Sequence, residues 1–177
     1  MECDTALGIV GAIATMAIAA LGSALGTGSA AAAAIGAWKK CYAQGKQAPF
    51  ILLSYVGAPI TQTLYGMIVM FTMTDLVKSP NTLPGTGFAL LLIGIVSGLA
   101  LGLSAWLQGR AGAAAADAHG ETDSGLTNNL SAIGIIETVA IFVMVFTLIA
   151  VGNLKNEAPA PDLPEAPVSA AAAVVGE

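Results

Sequence analysis

The chain reads as an all-α membrane protein, with four transmembrane helices arranged as two tandem helical hairpins. Three observations predict this. Of its 177 residues 56% are hydrophobic and only 10% are charged, which leaves too little polar surface to clothe a water-soluble globule. Four long stretches lack Asp, Glu, Lys and Arg almost entirely. They run from Asp4 to Lys39, Lys46 to Asp75, Lys78 to Arg110 and Asp123 to Lys155, and Glu137 alone interrupts the last. Finally, the chain repeats itself. Ser23-Ala24 and Thr27-Gly28 return as Ser104-Ala105 and Gln108-Gly109, Thr63 returns as Thr138, and Phe71-Thr72 returns as Phe146-Thr147.

A spanning helix needs about 20 apolar residues, so each stretch crosses once and none is long enough to cross twice. The expected spans are 6–37, 49–74, 86–110 and 126–153, the hairpins 1–78 and 79–155. The chain opens Met-Glu-Cys-Asp, with no basic region before its first apolar run, so helix 1 is expected to be retained. Lys39, Lys40 and Lys46 in loop 1-2 and Arg110 in loop 3-4 oppose Lys78 and Lys155 on the other side. The positive-inside rule then puts loops 1-2 and 3-4 in the cytoplasm and both termini outside. Asp117, Glu121 and Asp123 also fall in loop 3-4, as does His119, expected to be solvated rather than a metal ligand. Cys3 and Cys41 then lie on opposite sides of the membrane and cannot pair. Residues 156–177, rich in Pro, Ala and Glu, are expected to form an extended, disordered tail outside the membrane.

The helices differ in character. Helix 3 carries Gly94, Gly98 and Gly102, and helix 1 carries Gly22, Gly26, Ala30 and Ala34. A spacing of four lines small residues along one face and lets neighbouring backbones approach closely. Helices 2 and 4 carry the bulk, at 68–71 and 141–149. Slender helices inside and bulky helices outside suit assembly of many copies into a ring.

Glu137 is the central candidate. A carboxylate at bilayer depth costs about 2.5 to 3.5 kcal/mol on insertion scales, so it marks a place where charge is bound or moved. Helix 2 offers Ala58-Pro59-Ile60-Thr61-Gln62-Thr63-Leu64-Tyr65, in which Ala58, Thr61, Gln62 and Tyr65 share one stripe. Pro59 lacks an amide hydrogen and is expected to kink the helix and loosen nearby carbonyls. With Gln108 from helix 3, a convergent set would comprise one carboxylate, two amide oxygens, a hydroxyl and a backbone carbonyl. Such an all-oxygen set with one negative charge suits a hard monovalent cation. Thr and Gln in membrane helices also serve as plain interhelical hydrogen bonds.

Pro59-x-Thr61-Gln62-x-Leu64-Tyr65-Gly66, Gln108-Gly109 and Glu137-Thr138-x-Ala140 together resemble the membrane-ring proteolipid of V-type (V/A-type) ATPases, subunit K or c, over roughly residues 6–153. The resemblance implies a duplicated hairpin, a homo-oligomeric rotor ring in the lipid bilayer, and a helix 4 carboxylate that carries one ion past a membrane stator subunit with a basic residue. For the sodium-coupled members it implies Na+ held by Glu137, Gln62, Gln108, Thr61 and the backbone carbonyl of Ala58, with Tyr65 hydrogen-bonded to Glu137. Ala58 departs from the larger Leu expected there. The transported ion is expected to be Na+, or alternatively H+, with no organic cofactor. Central-stalk subunits are expected at loops 1-2 and 3-4, the compartment is expected to be a prokaryotic cell membrane, and no nucleic acid is expected as a partner. The chain has no Gly-rich phosphate-binding loop with a Lys, so the subunit is expected to be non-catalytic. The residues alone leave open a stand-alone tetraspan channel or carrier, and a structural membrane oligomer.

Overall fold

Long runs of Ala, Leu, Ile, Val and Gly bounded by turn residues build four helices in a computed structural model that describes residues 2–80 and 82–155. They are α1 (Glu2–Ala43), α2 (Phe50–Lys78), α3 (Thr86–Thr122) and α4 (Leu126–Gly152), each long and apolar enough to cross a bilayer. Among the described residues the one β-type pairing is an isolated bridge between Thr82 and Lys155. The expected tail at 156–177 lies outside the described residues.

The centre of the bundle is α1 against α3. Gly11 packs on Gly94, Gly22 on Gly102 and Gly26 on Gly109, so the numbering rises together and the two helices run parallel. A Cβ on Gly22 would overlap the backbone of Gly102. Contact this close trades side-chain volume for backbone dispersion, which drives helix association in lipid, where apolar burial by itself gains nothing. The second layer is α2, antiparallel to α1, with Gly66 facing Ala19 and Pro59 facing Gly26. It is not uniform: a 3₁₀ turn over Ala58–Ile60 separates the short α-helical piece Leu53–Gly57 from Thr61–Lys78. The change of hydrogen bonding falls at Pro59, where a kink is expected.

The last helix, α4, rests on α3 and α2 through a narrow seam. Its buried residues are Ile133, Ala140, Thr147 and Val151, mostly one heptad apart, which is the spacing of a single line of contact. Large apolar side chains stay exposed around the bundle, among them Leu21, Leu25, Val96, Phe142 and Phe146. Lipid or neighbouring copies must cover them.

The helices outrun the membrane, and this corrects the expected loops. With 42 residues, α1 is about 60 Å long at 1.5 Å per residue, twice the hydrocarbon thickness. Lys39 and Lys40 therefore lie in α1, and Arg110, Asp117, His119 and Glu121 in α3, where residues 111–118, rich in alanine, carry the helix on into the polar region. Lys40 Nζ bridges Asp117 at 2.9 Å and Glu121 at 2.8 Å, tying the two projecting ends together. His119 was expected to be solvated but is only 6% exposed, with its ring 6.2 Å from that of Tyr55 in an edge-on contact. Its burial follows from the helix continuing past it, which turns the side chain onto α2. At the opposite end the Asp4 carboxylate accepts a hydrogen bond from the Gly87 N–H at 3.0 Å, so α1 caps the start of α3. Cys3 and Cys41 are free thiols at the two ends of α1.

Candidate functional site

The predicted residues gather halfway along the bundle, in two hydrogen-bonded groups. The first threads three helices. In α2, just beyond the 3₁₀ turn, Thr61 Oγ1 lies 3.0 Å from the Ala58 carbonyl and 3.3 Å from Gln62 Oε1. Gln62 Nε2 donates to Gln108 Oε1 of α3 at 2.8 Å, and Gln108 Nε2 donates to the Ile133 carbonyl of α4 at 3.2 Å. Both glutamines are fully buried. A buried primary amide left unpaired would cost several kcal/mol in hydrocarbon, on the order of 2 to 7, and here each amide has a donor and an acceptor contact.

The second group is a pair. Tyr65, one turn further along α2, donates its hydroxyl to Glu137 Oε1 at 2.8 Å. Glu137 is half-buried on α4, with one side against α2 and the other toward the outside of the bundle. Among the described residues no hydrogen bond joins Glu137 to Gln62 or Gln108. The carboxylate therefore sits beside the amide chain, with Tyr65 as its fixed partner.

The Ala58 carbonyl, expected to be loosened by Pro59, is engaged within the turn. The Ala58 carbonyl accepts the Thr61 backbone N–H in the 3₁₀ turn and faces the Thr61 hydroxyl as well, which brings two oxygens of different chemistry together. Among the described residues no three His, Cys, Asp or Glu side chains gather as a metal cluster. The donors available at mid-span are amide, hydroxyl and carbonyl oxygens and one carboxylate, the chemistry of a hard cation rather than a transition metal. A groove of about 500 Å3 between α3 and α4, lined by Leu92, Val96, Val143 and Phe146 among others, contains none of the six residues; it is an apolar surface feature.

One contact was not anticipated from the sequence. Ser104, buried on α3 one turn before Gln108, lies with its hydroxyl 3.3 Å from the Ile136 carbonyl. The signal for it was present in the repeat, where Ser104-Ala105 matches Ser23-Ala24, but a serine in an apolar helix usually bonds its own preceding turn.

Fold and site define a class: an integral, multi-pass helical membrane protein with, among the described residues, one carboxylate at mid-span, Glu137. Residues 91–150 match the family model described as the C subunit of ATP synthase. The matched segment covers most of α3 and nearly all of α4, including Ser104, Gln108 and Glu137, and leaves α1 and α2 outside it. No curated protein matches the chain. The match, over about a third of the chain, makes α3 and α4 similar to that family.

Proposed function

We propose that this chain is the duplicated-hairpin proteolipid, subunit K or c, of a rotary V-type ATPase, and that Glu137 carries Na+ across the membrane as the ring turns. The observation that carries the reading is the convergence of Tyr65-bound Glu137 with the Ala58–Thr61–Gln62–Gln108 chain at one level of the bundle. The repeat supports the duplication: α1 pairs with α2, α3 with α4, and Gln62 stands where the second hairpin has Glu137. In this reading Na+ is cargo. The oxygens of Glu137, Gln62, Gln108 and Thr61 and the Ala58 carbonyl would bind it, while Tyr65 holds the carboxylate. The amides bond to each other in the structure, so binding requires them to turn their oxygens toward the ion.

The mechanism follows from charge. With its ion bound the site is neutral, and it can face hydrocarbon as the ring rotates. Emptied, it is a carboxylate whose exposure to lipid is costly. A basic residue of the stator would stabilise that state between release of one ion and uptake of the next. Moving one charge through 100 mV is worth about 2.3 kcal/mol, so ATP hydrolysis elsewhere in the complex can drive several ions per event. One carboxylate per four helices halves the ion count of a two-helix ring of equal circumference, which favours pumping. Loops 1-2 and 3-4 would face the cytoplasm and the central stalk, at the end where Lys40, Asp117 and Glu121 are exposed.

A second reading has its own support. The Glu137–Tyr65 bond alone suffices for a carboxyl that carries H+, without the amides. The purified complex discriminates: sodium coupling predicts ATP hydrolysis that saturates with Na+ and loses that dependence as pH falls, because H+ competes for the same carboxylate. The isolated chain should come out of the membrane as a ring of many copies that moves no ions. A monomer that conducts ions by itself would replace this function with that of a channel or carrier.

A further inference from the structure

We propose that Ser104 is a positioning residue for Glu137, setting the rotation of α4 so that the carboxylate meets Tyr65. The inference rests on the ion-carrier reading of Glu137 and adds a residue that reading does not use. It starts from how little else fixes α4 near Glu137; the other polar contact from α2, Asn129 Nδ2 donating to Tyr55 Oη at 3.3 Å, lies two turns away near the start of the helix. The buried seam of that helix is a single line through Ile133, Ala140, Thr147 and Val151, and small rotations about such a line cost little packing. Yet Glu137 must present its oxygen to Tyr65 within hydrogen-bond distance.

Two polar side chains of α3 supply what the seam lacks. Ser104 Oγ donates to the Ile136 carbonyl at 3.3 Å, and Gln108 Nε2 donates to the Ile133 carbonyl at 3.2 Å. Ile136 is the residue before Glu137. Ile133 is the residue whose carbonyl, in the i to i−4 pattern of an α-helix, accepts the Glu137 N–H itself. The two contacts grip α4 on either side of that peptide, one turn apart, and their donors are one turn apart on α3. Two such points fix rotation where one permits pivoting. Ser104 is the fixed member of the pair, because Gln108 is also claimed by Gln62 and, in the proposed cycle, by the ion. When Gln108 turns to the ion, Ser104 is the tether that remains.

The contrast with other serines sharpens the assignment. Ser97, also buried on α3, bonds the Ile93 carbonyl of its own helix at 2.7 Å. Ser23, the match of Ser104 in the first hairpin, is buried with no hydrogen-bond partner among the described residues. Only Ser104 of these three reaches a neighbouring helix.

The experiment uses the intact complex and reads carbodiimide modification of Glu137 at fixed pH, with the Na+ concentration giving half-protection as its measure. For a proton-coupled ring the measure is the midpoint pH of labelling. Ser104→Ala is expected to raise the half-protecting Na+ concentration about three- to ten-fold, the range of one hydrogen bond, or to move the labelling midpoint. Ser104→Thr, which keeps the hydroxyl, is expected to restore the wild-type value, and Ser97→Ala to leave it unchanged. Were Ser104→Ala not to assemble, Ser104→Cys, a weak donor of similar size, is expected to give a partial shift. A merely structural serine would lower the yield of complex without moving the midpoint. Wild-type midpoints in Ser104→Ala or Ser104→Cys rings overturn the proposal, as does failure of Ser104→Thr to rescue. If wild-type Glu137 takes no label at all, it is the ion-carrier reading that fails.

Discussion

The two hairpins answer the same packing problem with different chemistry. In the first, α2 is broken by the 3₁₀ turn at Ala58–Ile60 and presents a neutral amide, Gln62, buried completely. In the second, α4 runs unbroken from Leu126 to Gly152 and presents a carboxylate, Glu137, half-open to the surroundings. The broken helix gathers neutral oxygens around a turn, and the unbroken one holds a charge on a rigid rod. Ser23 and Ser104 repeat the contrast, the first without a partner among the described residues and the second bonded to α4. In the proposed reading, a duplicated unit with one ionisable group at mid-span separates two tasks, supplying ligands and carrying charge, which a single hairpin would have to combine.

The most severe way to break the comparison is to remove the charge. Glu137→Gln leaves both hairpins with a neutral amide at mid-span, and ion-coupled ATP hydrolysis in the complex is expected to fall to background while the ring still assembles, as native electrophoresis would show. Next is the seam on which both hairpins depend. Gly22→Leu drives a side chain into the Gly102 backbone, and overpacking of this kind costs about 1 to 3 kcal/mol or more. Loss of the folded ring in detergent is the expected result. Tyr65→Phe is milder. It removes the hydroxyl that links the hairpins at Glu137 and is expected to weaken ion protection about three- to ten-fold, the effect of one hydrogen bond, measured by carbodiimide labelling against Na+ concentration.

Smallest is Ser23→Ala. It deletes a buried hydroxyl with no partner among the described residues and is expected to leave ion affinity unchanged, with thermal stability of the ring equal to or slightly above wild type, because an unsatisfied polar group is removed. A fall in ion affinity would show that the first hairpin has a use for that serine, and the asymmetry would narrow.

Much of this was legible in the sequence, for definite reasons. Charge-free runs report the lipid boundary directly, so the four spans could be counted. The Gly22, Gly26 and Gly102 spacing reports close approach, because nothing larger fits there. Glu137 stands out because a carboxylate in hydrocarbon demands a task. The helix ends were not legible, since hydropathy marks where lipid stops and not where hydrogen bonding stops. Residues 111–118 form helix as readily in water as in lipid. His119 followed the same course: its burial on Tyr55 depends on α3 continuing past the membrane. Ser104 was hidden for another reason. Whether a helical serine bonds its own turn or a neighbour is decided by interhelical distance, which only the packed bundle sets.

The central claim is that one carboxylate per protomer, Glu137, binds the transported ion. Its most direct test is the intact mass of the proteolipid after carbodiimide treatment of the purified complex, with Na+, with K+ and with neither. The account predicts a single adduct per chain, located at Glu137, suppressed by Na+ and untouched by K+. An absence of adduct at Glu137 in every condition would contradict it.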